Sequence, residues 1–286
     1  MCLDRQGRSW ICLSRGGAPC WDGTQFHAVT PDDGLGHGTI THVHEDREGL
    51  LWFSTWGGGV SCYDPVHLRR YRMPAELPAR EVQALARDPE GRMWLGCGSE
   101  PEMVIAQFDN AAPLMVAQWR DGQVERVPVP ADLLAGPCLA TATDTQGRVW
   151  LGGTGGAGWY QDGEFRCAHR CPKGLVTELY ASAQGPVYLA WSDIYFGTTR
   201  LERHNGPDVE VLHSLSGGQW VCAIRQTHDG VLWTGLGSYG GQRRGGGVAR
   251  LTEEGPQYLT KTAGLADDRV EDLLVQPGGN AYSWLY

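Results

Sequence analysis

The chain has 286 residues, 41% of them hydrophobic and 20% charged, a composition that folds and is not disordered. Its net charge is −9 and its basic residues gather only in pairs such as Arg69-Arg70 and Arg243-Arg244, which argues against a nucleic-acid partner. No apolar run approaches the roughly 18 residues needed to span a bilayer, so no membrane contact is expected from this chain itself.

A three-point pattern recurs along the chain: a polar residue, Gly three positions later, and an aromatic three beyond that. The sharp copies are Asp4-Gly7-Trp10, Asp46-Gly49-Trp52, Asp88-Gly91-Trp94 and Asp144-Gly147-Trp150. Three weaker copies keep the spacing, at Ser182-Gly185-Tyr188, Thr227-Gly230-Trp233 and Gln276-Gly279-Tyr282. Trp10, Trp52 and Trp94 stand 42 residues apart. In each copy the Asp side chain can bond backbone two residues on and start a turn. The Gly supplies the positive φ of a tight hairpin. The aromatic opens a short apolar strand and fills the space between neighbouring sheets, a packing role.

The flanking segments follow the same order each time. An alternating stretch precedes the signature, as in Ile40-Thr41-His42-Val43 or Val270-Glu271-Asp272-Leu273. A glycine-rich turn follows it, such as Trp56-Gly57-Gly58-Gly59 or Gly152-Gly153-Thr154-Gly155-Gly156. A third strand leads to a second hairpin, such as Trp21-Asp22-Gly23 or Gln161-Asp162-Gly163, and a fourth strand closes the unit. Repeated four-stranded antiparallel units of this length are blades of a β-propeller. The expected architecture is therefore all-β, with six four-stranded blades plus a partial seventh repeat in a single domain, 1–286. The repeats start near residues 1, 38, 80, 137, 176, 219 and 269. If the ring closes, Arg269–Val275 is expected to supply the missing inner strand of the first blade, leaving Gly278–Tyr286 as a tail.

Asp46-Arg47-Glu48-Gly49-Leu50-Leu51-Trp52-Phe53-Ser54-Thr55 and Asp144-Thr145-Gln146-Gly147-Arg148-Val149-Trp150-Leu151-Gly152 resemble the two-component regulator propeller repeat. Gly264-Leu265-Ala266-Asp267-Asp268-Arg269-Val270 is similar to that family's lead-in to a first strand. The resemblance implies a sensor or ligand-binding module from the extracytoplasmic part of bacterial two-component systems, here a fragment of one. The compartment is then periplasmic or extracytoplasmic.

Function in repeat scaffolds sits in the loops that break the pattern. Two insertions do so, around Cys97–Ala117 with Glu100, and around Leu236–Gly247 with Tyr239, Arg243 and Arg244. Trp56 and the pair Trp191 and Asp193 occupy the equivalent loops of other repeats. These seven residues form the expected ligand-binding rim, facing a small molecule, a glycan or a protein partner. Cys167-x-His169-x-Cys171 has metal-capable side chains on alternate strand positions, but no second ligand pair follows it. His42 and His44 fit the inner strand of the second repeat and face the channel or pack beside it. No nucleophile elbow, phosphate loop or zinc-protease helix is present, so no catalytic residue, metal or cofactor is expected. The alternative is a stand-alone propeller enzyme of the lyase or lactone-hydrolase type. It would need acidic or histidine side chains from several inner strands to converge on a channel metal. The nine cysteines are odd in number and irregularly spaced, so no disulfide framework follows from them.

Overall fold

The structure is a computed structural model. It describes residues 1–64, 69–72, 81–98, 115–120, 123–130, 134–193, 197–238, 245–275 and 281–285. The described chain is built of strands that pair antiparallel with their sequence neighbours. The first sheet holds β1 (Cys2–Leu3), β2 (Ser9–Trp10), β3 (Ala18–Trp21) and β4 (Phe26–Val29). The second holds β5 (Ile40–Glu45), β6 (Leu51–Thr55), β7 (Gly59–Asp64) and β8 (Arg69–Arg72). The third holds β9 (Val82–Arg87), β10 (Met93–Cys97), β11 (Val116–Arg120) and β12 (Gln123–Val127). A six-stranded sheet follows, with β13 (Ala135–Thr143), β14 (Val149–Gln161), β15 (Glu164–Ala181), β16 (Val187–Asp193), β17 (Thr198–Asn205) and β18 (Asp208–Leu215). The next sheet holds β19 (Gln219–Gln226), β20 (Leu232–Ser238), β21 (Gly247–Thr252) and β22 (Gly255–Leu259). A two-stranded sheet of β23 (Val270–Val275) and β24 (Ala281–Leu285) ends the described chain.

The leading strand of each repeat lies beside the next, in the order β1, β5, β9, β13, β15, β19, β23. This is the radial arrangement of a β-propeller. The blade count differs from expectation. There are five blade sheets and a two-stranded sheet, not six four-stranded blades plus a partial seventh. The fourth and fifth repeats share one six-stranded sheet because β15 runs from one into the other, pairing with β14 over Glu164–Cys171 and with β16 over Gly174–Ala181. The expected turn at Gly152–Gly156 is present within β14, since Arg148 lies 5.0 Å from the Trp159 ring and Gln161 Nε2 donates to the Gln146 carbonyl at 3.3 Å. The pairing passes from Thr154↔Leu175 to Gly155↔Cys171 across a register shift, so β15 serves both repeats. A second correction concerns closure. Strand β23 pairs with β24 and not with the first sheet, so 281–285 is a strand and not a tail.

The signature turn explains the regularity. Asp46 Oδ1 accepts from the backbone N–H groups of Glu48 and Leu50, each at 2.9 Å. Its other oxygen accepts from the Trp52 indole N–H at 2.7 Å. Gly49, at φ 84°, closes the turn by donating to the Asp46 carbonyl at 3.1 Å. The indole bonds Trp10–Asp4, Trp94–Asp88 and Trp150–Asp144 are each 2.8 Å. One carboxylate thus satisfies a hairpin turn and a ring that lies in the apolar space between sheets. All four signature tryptophans are buried.

Each ring then packs on the following repeat. Trp10 meets Phe53 at 5.5 Å between centroids, Trp52 meets Trp119 at 4.6 Å, Trp94 meets Tyr160 at 4.9 Å and Trp150 meets His204 at 5.9 Å. The clusters between sheets follow suit. One gathers Trp52, Val60 and Cys62 with Val82, Leu85, Met93 and Leu95 of the next sheet.

Where the signature is degraded the bond is missing. Thr227 occupies the Asp position of the sixth repeat, and its hydroxyl donates to Asp229 at 2.5 Å. Trp233 Nε1 is buried with no partner among the described residues. Restoring the carboxylate with Thr227→Asp is expected to raise stability by about 1 kcal/mol. Asp46→Ala orphans three donors and is expected to cost about 3 kcal/mol or more. Denaturant midpoints at constant m value check both. A Thr227→Asp variant no more stable than the parent would show that the Trp233 indole is already satisfied.

Candidate functional site

The leading strands enclose a channel. One cavity of about 500 Å³ is lined by Thr41, His42, His44, Gln83, Arg87, Thr141, Thr143, Glu178, Tyr180, Arg225 and Asp272. On the leading strands His42 and His44 alternate with Val43, Glu178 and Tyr180 with Leu179, and Arg225 with Ile224, the apolar members packing between sheets. A second, open cavity of about 1130 Å³ shares Thr41, His42, Glu271 and Asp272 and extends to Trp56, Phe26, His27 and Arg269.

Arg225 on β19 bridges two carboxylates from the neighbouring leading strands. Its guanidinium lies 3.2 Å from Glu178 on β15 and 2.8 Å from Asp272 on β23. Asp272 also pairs with the α-amino group of Met1. Burial pushes the Glu178 carboxyl up, to about 7, against the pull of Arg225. Burial works the same way on Asp272, but the α-amino charge and Arg225 win and hold it below the usual carboxylate range. Burial pushes the His42 imidazole down to about 3, and the neighbouring α-amino group and His44 push the same way. His44 is lowered by burial as well.

Trp56 follows β6 at the mouth of the open cavity, where its N–H donates to the Thr39 carbonyl at 3.1 Å. The loops here touch closely. A Cβ on Gly36 would fall 2.3 Å from the Gly58 carbonyl oxygen, so neither position tolerates a side chain. That contact fixes the loop carrying Trp56 against the lead-in of its own repeat.

Of the other expected rim residues, Glu100, Tyr239, Arg243 and Arg244 lie outside the described residues. Trp191 lies within β16, not in a loop, and does not line the cavity of Trp56. Its indole donates to Glu202 Oε1 at 2.8 Å. Asp193 ends β16, and its carbonyl accepts from Gly197 N–H at 2.9 Å. The structure therefore separates Trp191 from Trp56. Sequence reasoning also passed over Arg225, Glu178 and Asp272. The signal available was one charged residue at the inward position of three successive leading strands.

A separate polar cluster lies where β15 crosses the face of β16 and β17. Glu202 Oε2 is 3.1 Å from His169 Nδ1 and 3.2 Å from His204 Nε2. Burial works to raise the Glu202 carboxyl, but bonds from His169, His204 and Trp191 prevail and hold it below the usual carboxylate range. His169 is the middle residue of the Cys-x-His-x-Cys stretch. Its flanking Cys171 is buried, with the thiol pushed up to about 12 by burial and the Glu202 charge.

The fold and the sensor-like repeat define a class, and the comparisons agree. The family model described as "Two component regulator propeller" matches residues 34–57 and 76–99, the lead-in and signature of the second and third repeats. Those two stretches carry that family's repeat, and the spacing recurs in the other copies of the signature. No curated protein matches it in sequence. It is similar in fold to the extracellular domain of BT3049 of B. thetaiotaomicron, named as a hybrid two-component system. The TM-score there is 0.72 at 20% identity, covering 99% of this chain and 37% of that one. The extracellular domain of BT4673 of the same organism gives a TM-score of 0.76 at 13% identity, covering 98% and 36%. The chain thus spans little more than a third of those domains. A streptogramin B lyase gives a TM-score of 0.70 at 11% identity, covering 98% and 87%. At these identities the similarity speaks for the fold alone. No helix among the described residues is long and apolar enough to cross a membrane.

The channel groups make opposite demands on pH. An unfolded histidine binds a proton below about 6.5, while folded His42 stays neutral to about 3. Stability therefore falls as pH drops below 6.5. Folded Glu178 keeps its proton up to about 7, whereas the unfolded side chain releases it near 4.3, so stability falls as pH rises between those values. Each group contributes at most about 1.4 kcal/mol per pH unit, roughly 2 °C in melting temperature. His42→Gln is expected to flatten the acid limb between pH 6 and 4, and Glu178→Gln the rise between pH 7 and 5. Melting curves against pH for the three proteins check both slopes.

Proposed function

We propose that this chain is a ligand-sensing or interaction propeller, part of the extracytoplasmic region of a two-component regulator, with its ligand at the open cavity beside Trp56. The observation that carries the reading is the composition of that cavity. An indole at the mouth, a cationic Arg269, and carboxylates at Glu271 and Asp272 line one space of about 1130 Å³. An aromatic face with converging charged groups suits a sugar or a small polar molecule. The family and the extracellular domains of similar fold support an extracytoplasmic placement. A thermal-shift screen of neutral and acidic sugars and glycan fragments tests the proposal. A binder is expected to raise the melting temperature by at least about 2 °C. Trp56→Ala is expected to abolish that rise. Silence across the panel, or a rise that survives Trp56→Ala, overturns it.

The similarity to a streptogramin B lyase favours a second reading, catalysis in the channel. Its requirement is a convergence of unengaged acidic or imidazole groups from the leading strands. Glu178 and Asp272 are instead both engaged by Arg225. We expect no turnover of a streptogramin B antibiotic in an assay that follows substrate loss chromatographically.

A further inference from the structure

The third strands of the repeats share a register, and one repeat breaks it. The residue paired with the position just before the signature aromatic is Tyr63 opposite Leu51, Trp119 opposite Met93 and Leu251 opposite Leu232. Tyr63, Trp119 and Leu251 each pack against the signature ring of the preceding repeat. In the fifth repeat that place, opposite Val187, is His204. Two residues earlier on the same strands stand Ser61, Ala117 and Ala249, small groups that fit a tight space between sheets. The fifth repeat puts Glu202 there, opposite Leu189. Both replacements are buried, at 4% exposure each. Burying a carboxylate and an imidazole where the other repeats bury small or apolar groups is costly unless they are used.

His169 comes from β15, in the preceding repeat, and completes the group. His169, Glu202 and His204 each offer one ligand atom, and these atoms lie within 4.8 Å of one another. The two nitrogen-to-oxygen separations, 3.1 and 3.2 Å, are close to the edge of a tetrahedron with bonds of about 2.0 Å, roughly 3.3 Å. His169 Nε2 is buried without a partner among the described residues, so the ring meets Glu202 through Nδ1. The second carboxylate oxygen is held by the Trp191 indole, the kind of outer contact that orients a ligating carboxylate.

We propose that His169, Glu202 and His204 form a binding site for a divalent transition metal of the zinc class, which joins the fourth and fifth repeats. Two imidazoles and one carboxylate are a zinc ligand set that leaves a fourth position for water. Imidazole ligands favour such a metal over calcium or magnesium. The site lies between sheets and is separate from the channel cavities, whose linings include none of its three residues.

Chelator-stripped full chain titrated with Zn²⁺, and with Co²⁺ as a visible reporter, tests the site. One equivalent is expected to bind, with the absorption of tetrahedral Co²⁺ and a rise of several degrees in melting temperature. His204→Tyr restores the ring found at the equivalent positions, so it is expected to fold and to lose the metal. Glu202→Gln is expected to weaken binding at least tenfold, and Cys171→Ser to leave it unchanged. No uptake by the parent, equal uptake by His204→Tyr, or loss of uptake on Cys171→Ser alone overturns the assignment.

Discussion

A single hydrogen bond sets the geometry on which the rest of the molecule depends. It runs from the signature tryptophan indole to the signature aspartate six residues before it, at 2.7–2.8 Å in four repeats. The aspartate has already committed its other oxygen to the backbone of the turn in all four. The carboxylate therefore couples a hairpin to the orientation of a large ring. Because the ring's polar atom is satisfied within its own turn, the remaining surface is free to lie against apolar groups. The repeats become interlocking units, and none of the nine cysteines is in a disulfide.

The coupling also explains why departures from the pattern carry information. A ring held in a set orientation needs a complementary partner on the next repeat. Phe53, Trp119 and Tyr160 supply apolar or aromatic faces. His204 meets Trp150 edge-on and also turns a nitrogen to Glu202, so it satisfies the packing rule while bringing chemistry into the space between sheets. The same region is where the sheet fails to divide, with β14 and β15 running long. His169 lies on the outer strand of the fourth repeat, which stacks on the third strand of the fifth and so brings the imidazole to Glu202.

The channel follows a different rule. Its side chains alternate with the core on the leading strands, so polar groups converge from several repeats on a narrow space. Arg225 between Glu178 and Asp272 neutralises charge that would otherwise be buried unpaired. The open cavity near Trp56 is the larger of the two and offers a ligand more room.

The recurring Asp-x-x-Gly-x-x-Trp spacing by itself determined the strand-and-turn order, the propeller class and the packing role of the tryptophans, because each is a local consequence of turn chemistry and strand alternation. His42 and His44 were legible as channel candidates for the same reason. The number of blade sheets was not legible, since whether the outer strand of one repeat runs unbroken into the leading strand of the next depends on what β15 can pair with on both sides. Nor was the partnership of Trp191, placed at a rim from its position in the repeat yet held by Glu202 in the structure. His169, Glu202 and His204 are spread over 36 residues with no motif spacing. Only the stacking of one repeat's outer strand on the next repeat's third strand brings their nitrogen and oxygen atoms together. Such long-range packing has no counterpart in local propensity.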